Sequence, residues 1–231
     1  MLVGVSLGFA AMRPAPASAD GLWTGNAVGE GANIRSAPSA SAAIVGTIAP
    51  NAPVTIARWA LGETVYGTND FWGEIAPGQN VYSHSLVKPK PSAPPPTPTT
   101  LSGRWIDVNL TQQIATAYTG TQPVYWAVVS TGRPGWETPT GTFSILRRVP
   151  NERMRSSSLP ASEVVSEPYD LSNVLYTQYF TRYGVALHDN YWKWDSPFGV
   201  PTSHGCVGMA KSDALYFWNF ATVGMPVVVH Y

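Results

Sequence analysis

The chain has 231 residues, a formal net charge of zero and only 12% charged residues. That balance excludes a nucleic-acid binder, which needs a basic stripe, and the length is enough for one or two domains with real cores. A single cysteine rules out an internal disulfide. Nine Trp and eleven Tyr beside so few charges suit sugar or peptide ligands, and core packing accounts for aromatics equally well.

Residues 1–19 read as an export signal. An apolar stretch runs from Leu2 to Met12, and Ala17-Ser18-Ala19 forms a small-residue cleavage site before Asp20. The positive segment that usually precedes such a stretch is missing. No later run of eighteen apolar residues occurs, so no membrane span is expected after signal removal. The expected location is outside the cytoplasm: cell wall, periplasm or extracellular space.

Over residues 20–88, apolar runs recur between turn residues at Ala32 to Arg35, Ile44 to Ile48, Val54 to Trp59, Phe71 to Ile75 and Val81 to Val87. This spacing predicts a small all-β barrel. Asn33-Ile34-Arg35-Ser36, Phe71-Trp72-Gly73-Glu74-Ile75 and Val81-Tyr82-Ser83-His84-Ser85-Leu86 resemble a bacterial SH3 domain, with Ala37 standing where that family commonly has Gly. The resemblance implies a module that binds the cell wall, with His84 in a structural role.

Residues 89–102 form a Pro-rich linker, since proline removes backbone donors and fixes φ. In polyproline II geometry its dozen or so residues span about 37 Å at about 3.1 Å each, predicting a semi-rigid spacer.

Residues 103–231 open with alternation in Trp105 to Leu110 and Ile114 to Tyr118, followed by a third strand at Val124 to Ser130, an antiparallel meander. Thr138-Pro139-Thr140-Gly141-Thr142-Phe143 turns into another strand. Residues 147 to 182 read as a long polar excursion carrying Arg147, Arg148, Arg153 and Arg155. These arginines form either a solvated face or a contact for acidic substrate groups. Lys211 to Phe220 predicts a helix, with Asp213 near its positive end and Gly224 beyond it. Pro226 to Tyr231 predicts a closing strand, with His230 incidental. The expected fold class is mainly β, with one helix near the C-terminal end.

Ser203-His204-Gly205-Cys206, with His188 eighteen positions before the cysteine, places the lone cysteine near two histidines. A free thiol is only about 3% thiolate at pH 7, so a nucleophilic Cys needs a base or a positive field. A glycine before it permits a tight turn that brings main-chain N–H groups toward a developing oxyanion. Two other readings stand beside this one. Cys206 is a buried small hydrophobe, or His188, His204 and Cys206 are zinc ligands, although no Cys-x-x-Cys or His-Glu-x-x-His spacing occurs. This separation leaves room for two strands joined by a loop, so His188 and Cys206 can meet across a sheet. In an extended segment His204 and Cys206 share a face, so spacing leaves both histidines open.

Trp105-Ile106-Asp107-Val108 with Gln112-Gln113, Val129-Ser130-Thr131-Gly132, Thr138 to Phe143, His188, and Ser203-His204-Gly205-Cys206-Val207 together resemble the L,D-transpeptidase catalytic domain. The resemblance implies acyl transfer on peptidoglycan stem peptides without a cofactor or metal. In it Cys206 is the nucleophile and His188 the base, and Gly205 and Cys206 supply oxyanion N–H groups. Ser203 and His204 support the site, and the Asp189 main-chain carbonyl orients the imidazole. The chain departs from the pattern at Asp189, where Gly is frequent, and at Gly208, where Arg or Asn is frequent. Transfer to water, as in an L,D-carboxypeptidase, and a wall-binding protein that has lost activity are the competing readings. A monomer is expected.

Overall fold

The computed structural model describes residues 22–158, 168–193 and 198–231. The expected export signal lies outside these residues, as does part of the 147–182 segment.

The N-terminal half contains β1 (Trp23–Ala27), β2 (Ala32–Arg35), β3 (Ile44–Ile48), β4 (Pro53–Ile56), β5 (Arg58–Tyr66), β6 (Asn69–Ala76), β7 (Gln79–Tyr82) and β8 (Leu86–Val87). They form a three-stranded sheet, β4-β1-β8, and a five-stranded sheet, β3-β2-β7-β6-β5. Two apolar runs of the sequence each break in two. Ala57 separates β4 from β5, and a 3-10 turn at Ser83–Ser85 separates β7 from β8. In β1 the side chains alternate between buried and less buried, the period of a strand with one face in a core. That core gathers Trp23, Val54, Ile56, Val81 and Leu86, with Trp59 packed against it. His84 lies against the rings of Tyr66 and Tyr82.

The C-terminal half contains β9 (Arg104–Asn109), β10 (Ile114–Thr119), β11 (Gln122–Ser130), β12 (Gly141–Ser144), β13 (Arg147–Arg155), β14 (Asp170–Tyr179), β15 (Ala186–Asp189), β16 (Val207–Met209), α1 (Lys211–Phe220) and β17 (Pro226–His230). Its nine strands make one curled sheet, β12-β17-β9-β10-β11-β16-β15-β14-β13. β9, β10 and β11 form the meander that their alternation predicts. The helix occupies its predicted span and sets Ala214 and Phe217 into a core with Ile106, Val129, Val207 and Met209. Two pairings are parallel, β17 with β9 and β15 with β16. Position 230 is not incidental. His230 Nε2 lies 3.1 Å from the fully buried Asp107 carboxylate and ties β17 to β9.

The excursion at 147–182 is for the most part a hairpin, with β13 paired antiparallel to β14 from Arg147↔Tyr179 to Arg155↔Asp170. Exposed polar residues on both strands blur the alternation that marks a strand in sequence.

The Pro-rich linker is not a free spacer. Trp126 donates its indole N–H to the Pro91 carbonyl at 2.9 Å, Lys90 Nζ stands 4.5 Å from the Tyr125 ring centre, and Thr97 donates to Asp107 at 2.7 Å. The halves also touch directly. Trp23 Nε1–H donates to the Gly199 carbonyl at 2.6 Å, and Lys88 Nζ bridges the Thr24 carbonyl and the Gln112 side chain. Burial pushes the Lys88 ammonium down to about 8, because low dielectric penalises its charged form.

Candidate active site

β15 and β16 lie side by side in parallel, pairing Leu187 with Val207, His188 with Gly208 and Asp189 with Met209. Cys206 immediately precedes β16. Residues in register on neighbouring strands project to the same face, and so do residues two apart. His188, position 208 and Cys206 therefore address one face of the sheet. The structure thus sets these two side chains, eighteen residues apart in sequence, on one face of adjoining segments.

The imidazole is held from behind. His188 Nδ1 lies 2.6 Å from the Asp189 carbonyl oxygen. A carbonyl only accepts, so Nδ1 carries the proton and Nε2 keeps its lone pair. The ring also stacks on Trp192, with centroids 5.7 Å apart and planes 18° apart. Burial pushes His188 down to about 4, against a smaller opposing effect of the Asp189 hydrogen bond. The Asp189 side chain does separate work. It is buried and accepts the Leu175 N–H, fastening β15 to β14, and burial holds its carboxyl above the ordinary range.

The Cys206 thiol is half-buried and donates to the Gly184 carbonyl at 3.6 Å. Burial pushes it up to about 11, opposed by a hydrogen bond from the Ala186 backbone and reinforced by the Glu152 carboxylate. At neutral pH the thiol and the imidazole are therefore both neutral.

The loop before Cys206 is fixed by a chain of hydrogen bonds. Gln113 donates to Thr131 Oγ1 at 2.6 Å and accepts the Thr131 N–H at 2.8 Å. The Thr131 carbonyl accepts the Ser203 N–H, and the Ser203 carbonyl accepts the Arg133 N–H, both at 2.9 Å. Ser203 Oγ donates to the Cys206 carbonyl at 2.6 Å, and Thr138 Oγ1 donates to the Gly205 carbonyl at 2.7 Å. Gly205 has φ +110°, in the region that favours glycine. Its N–H, read from the sequence as an oxyanion donor, is given to Ser203 Oγ at 3.1 Å. The Cys206 N–H has no acceptor among the described residues. The His204 ring packs edge-on to Trp136 and against Tyr169, with centroids 5.3 and 5.6 Å away. Among the described residues, no three His, Cys, Asp or Glu side chains form a group that could hold a metal.

Sequence reasoning quoted Gln113, Thr131 and Thr138 as pattern only, and the structure gives them the work of holding the loop. It missed Glu152, Tyr169, Tyr179 and Gly184. The Tyr169 phenol is pushed up to about 12, first by burial, then by Cys206 and Glu152. Tyr179 is pushed up by burial, by its hydrogen bond to Glu152 and by Cys206. No local motif marks these residues, because β13 and β14 bring them in from a different part of the chain.

At Gly208 a Cβ would stand 2.8 Å from Asn190 Nδ2 and 3.2 Å from Asn190 Cβ. The space that a side chain at 208 would use is filled by the Asn190 amide. Its Oδ1 is buried and has no hydrogen-bond partner among the described residues.

A thiol and a buried neutral imidazole on neighbouring strands of a curled, mainly β domain define the class of site. Residues 103–229 match the YkuD family model, the L,D-transpeptidase catalytic domain, and the chain belongs to that family. It is similar to the probable L,D-transpeptidase 3 of Mycobacterium tuberculosis, 32% identical over 100 residues, covering 43% of this chain and 36% of the relative. It is also similar to L,D-transpeptidase 1 of that organism, 29% identical over 100 residues, covering 43% and 39%. The chain thus spans little more than a third of the curated relatives that it matches. A solved L,D-transpeptidase from Mycobacterium smegmatis shares the fold, with TM-score 0.50 and 19% identity over 87% of this chain and 77% of that one. No helix among the described residues is long and apolar enough to cross a membrane.

Proposed function

We propose that the protein is an exported L,D-transpeptidase that joins peptidoglycan stem peptides through a thioester on Cys206. The observation that carries this reading is the pairing, inside the family-matched domain, of the Cys206 loop with His188, whose Nε2 keeps its lone pair.

His188 Nε2 takes the thiol proton as the sulfur bonds to the carbonyl carbon of the third stem residue. The carbonyl π pair moves onto oxygen, and the Cys206 N–H is the available main-chain donor for that charge. Collapse breaks the peptide bond. The terminal D-alanine leaves as an amine, taking the proton from His188, and a thioester remains. An amine on a neighbouring stem then attacks the thioester and passes a proton to His188. The sulfur leaves and is reprotonated, and the product is a 3-3 cross-link. The neutral resting pair means that charge appears only with substrate in place, where water exclusion strengthens every hydrogen bond to it. The N-terminal half, on this reading, is an SH3-like wall-binding module that docks on the catalytic domain of a monomer.

The test is incubation of the full chain with a carbapenem and with a tetrapeptide donor, followed by mass spectrometry. One adduct on Cys206, absent from Cys206→Ala, together with a cross-linked dimer, is the expected result. Shortened monomer without dimer would replace the acceptor amine with water. An unmodified Cys206 and unchanged donor would overturn the reading.

A further inference from the structure

A cavity of about 500 Å³ lies between the β13–β14 hairpin and the segment 181–184. Its wall includes Glu152, Tyr169, Tyr179 and Gly184, the same groups that bear on Cys206. Gly184 accepts the thiol hydrogen bond, and the two phenols and the Glu152 carboxylate are electrostatically coupled to the sulfur. The cavity therefore adjoins the candidate nucleophile through Gly184, which lines the one and accepts from the other.

Four guanidinium groups line it: Arg147, Arg153, Arg155 and Arg182. Their partners are unevenly distributed. Arg153 meets Asp170 through two hydrogen bonds of 2.6 Å, and Arg155 approaches the same carboxylate at 3.4 Å. Glu152 is engaged by the Tyr179 hydroxyl at 2.9 Å. Arg147 lies over the Tyr179 ring, 4.3 Å from its centre. Among the described residues neither Arg147 nor Arg182 has a carboxylate partner. Arg148, their neighbour in sequence, turns away and packs on Trp218. Among the described residues, four cations stand against Asp170 and Glu152, an excess of positive charge, and planar guanidinium pairs match a carboxylate in geometry as well as charge.

The geometry points to this cavity as the seat of a free carboxylate on the acyl donor, held by Arg147 and Arg182 while the adjacent carbonyl faces Cys206. The inference rests on the transpeptidase reading for the identity of the donor. Two carboxylates of a stem tetrapeptide have the required chemistry: the C-terminal one on the departing D-amino acid, and a side-chain one on a third-position diamino acid. A donor whose recognised carboxylate is amidated loses its charge-assisted hydrogen bonds and is disfavoured.

The experiment is calorimetric titration of the full chain carrying Cys206→Ala, which binds donor without turning it over, with three synthetic tetrapeptides. One has both carboxylates free, one has the third-residue side chain as a carboxamide, and one ends in D-alaninamide. One amide is expected to bind about tenfold more weakly than the acid, and that arm identifies the source of the carboxylate. Adding Arg147→Gln and Arg182→Gln should weaken the acid to the level of that amide. Both arginines are exposed, and an unchanged melting temperature verifies that the variant folds. Equal affinity for all three peptides, or a preference that survives both arginine substitutions, overturns the inference. Turnover by the unsubstituted chain separates the two claims. Selective binding without acyl transfer would sink the functional reading alone, and equal transfer from all three donors would sink the carboxylate site alone.

Discussion

The loop that carries Cys206 and the hairpin beside it are built on opposite plans. In the loop, Ser203, Gly205 and the Cys206 carbonyl are joined to one another and to Thr131, Arg133 and Thr138 by short hydrogen bonds. Its reactive groups, a thiol pushed up to about 11 and an imidazole pushed down to about 4, are neutral at rest. In the hairpin, Arg147, Arg153, Arg155 and Asp170 are exposed. On the proposed function, the difference separates two tasks. Bond making needs atoms fixed to within tenths of an ångström, which neutral, satisfied hydrogen bonds provide without desolvating charge. Selection of a charged donor works through longer-range attraction, which tolerates solvent and weakens with salt.

That contrast breaks most sharply at His188. His188→Gln removes the proposed proton acceptor, and acylation by a carbapenem, followed by stopped-flow fluorescence, should slow about a thousandfold. A loss below tenfold would give the base role to another group. The neutral resting pair is tested by pH. With its pKa near 11, the thiol ionises further with each step in pH, so alkylation by iodoacetamide should accelerate about tenfold per unit between pH 7 and 9. A rate already level at pH 7 would mean a resting thiolate–imidazolium pair. Thr138→Val deletes the donor to the Gly205 carbonyl and the acceptor of the Gly132 N–H, at 2.7 and 2.9 Å. Each buried group left unpaired costs about 1–3 kcal/mol, so acylation should slow by about one order of magnitude and the melting temperature fall. The smallest effect belongs to the hairpin. Asp170→Asn breaks an exposed pair, so the melting temperature should stay where it is. A clear fall would show that the hairpin is structural after all.

How far the sequence reveals this molecule follows the range of each interaction. Trp105 to Ser130 announces three strands because each carries its own alternation, and Lys211–Phe220 announces a helix by composition and boundary residues. The cysteine and its candidate base are also legible, because residue type alone carries their chemistry. The N-terminal runs are legible as strands, but not the breaks at Ala57 and Ser83–Ser85, which arise where the chain passes from one sheet to the other. The parallel pairings of β15 with β16 and β9 with β17 join segments far apart in the chain and leave no local trace. The docking of the linker is hidden for the same reason. Pro91 and Lys90 read as a spacer until Trp126 and Tyr125 arrive from another strand. The role of Glu152 and Tyr179 beside the sulfur depends on the hairpin folding back, and polar exposed strands lack the apolar rhythm that would have disclosed it.

Gly208 and Asn190 occupy one volume between them, and this couples the two positions energetically. A larger residue at 208 meets the Asn190 amide at 2.8 Å, so substitution there requires the Asn190 side chain to give way. Shortening Asn190 to Gly opens a gap that a side chain from 208 would fill from the other strand. The two positions are therefore epistatic. Gly208→Asn alone should depress stability, and the same change beside Asn190→Gly should restore it, as a double-mutant cycle would measure.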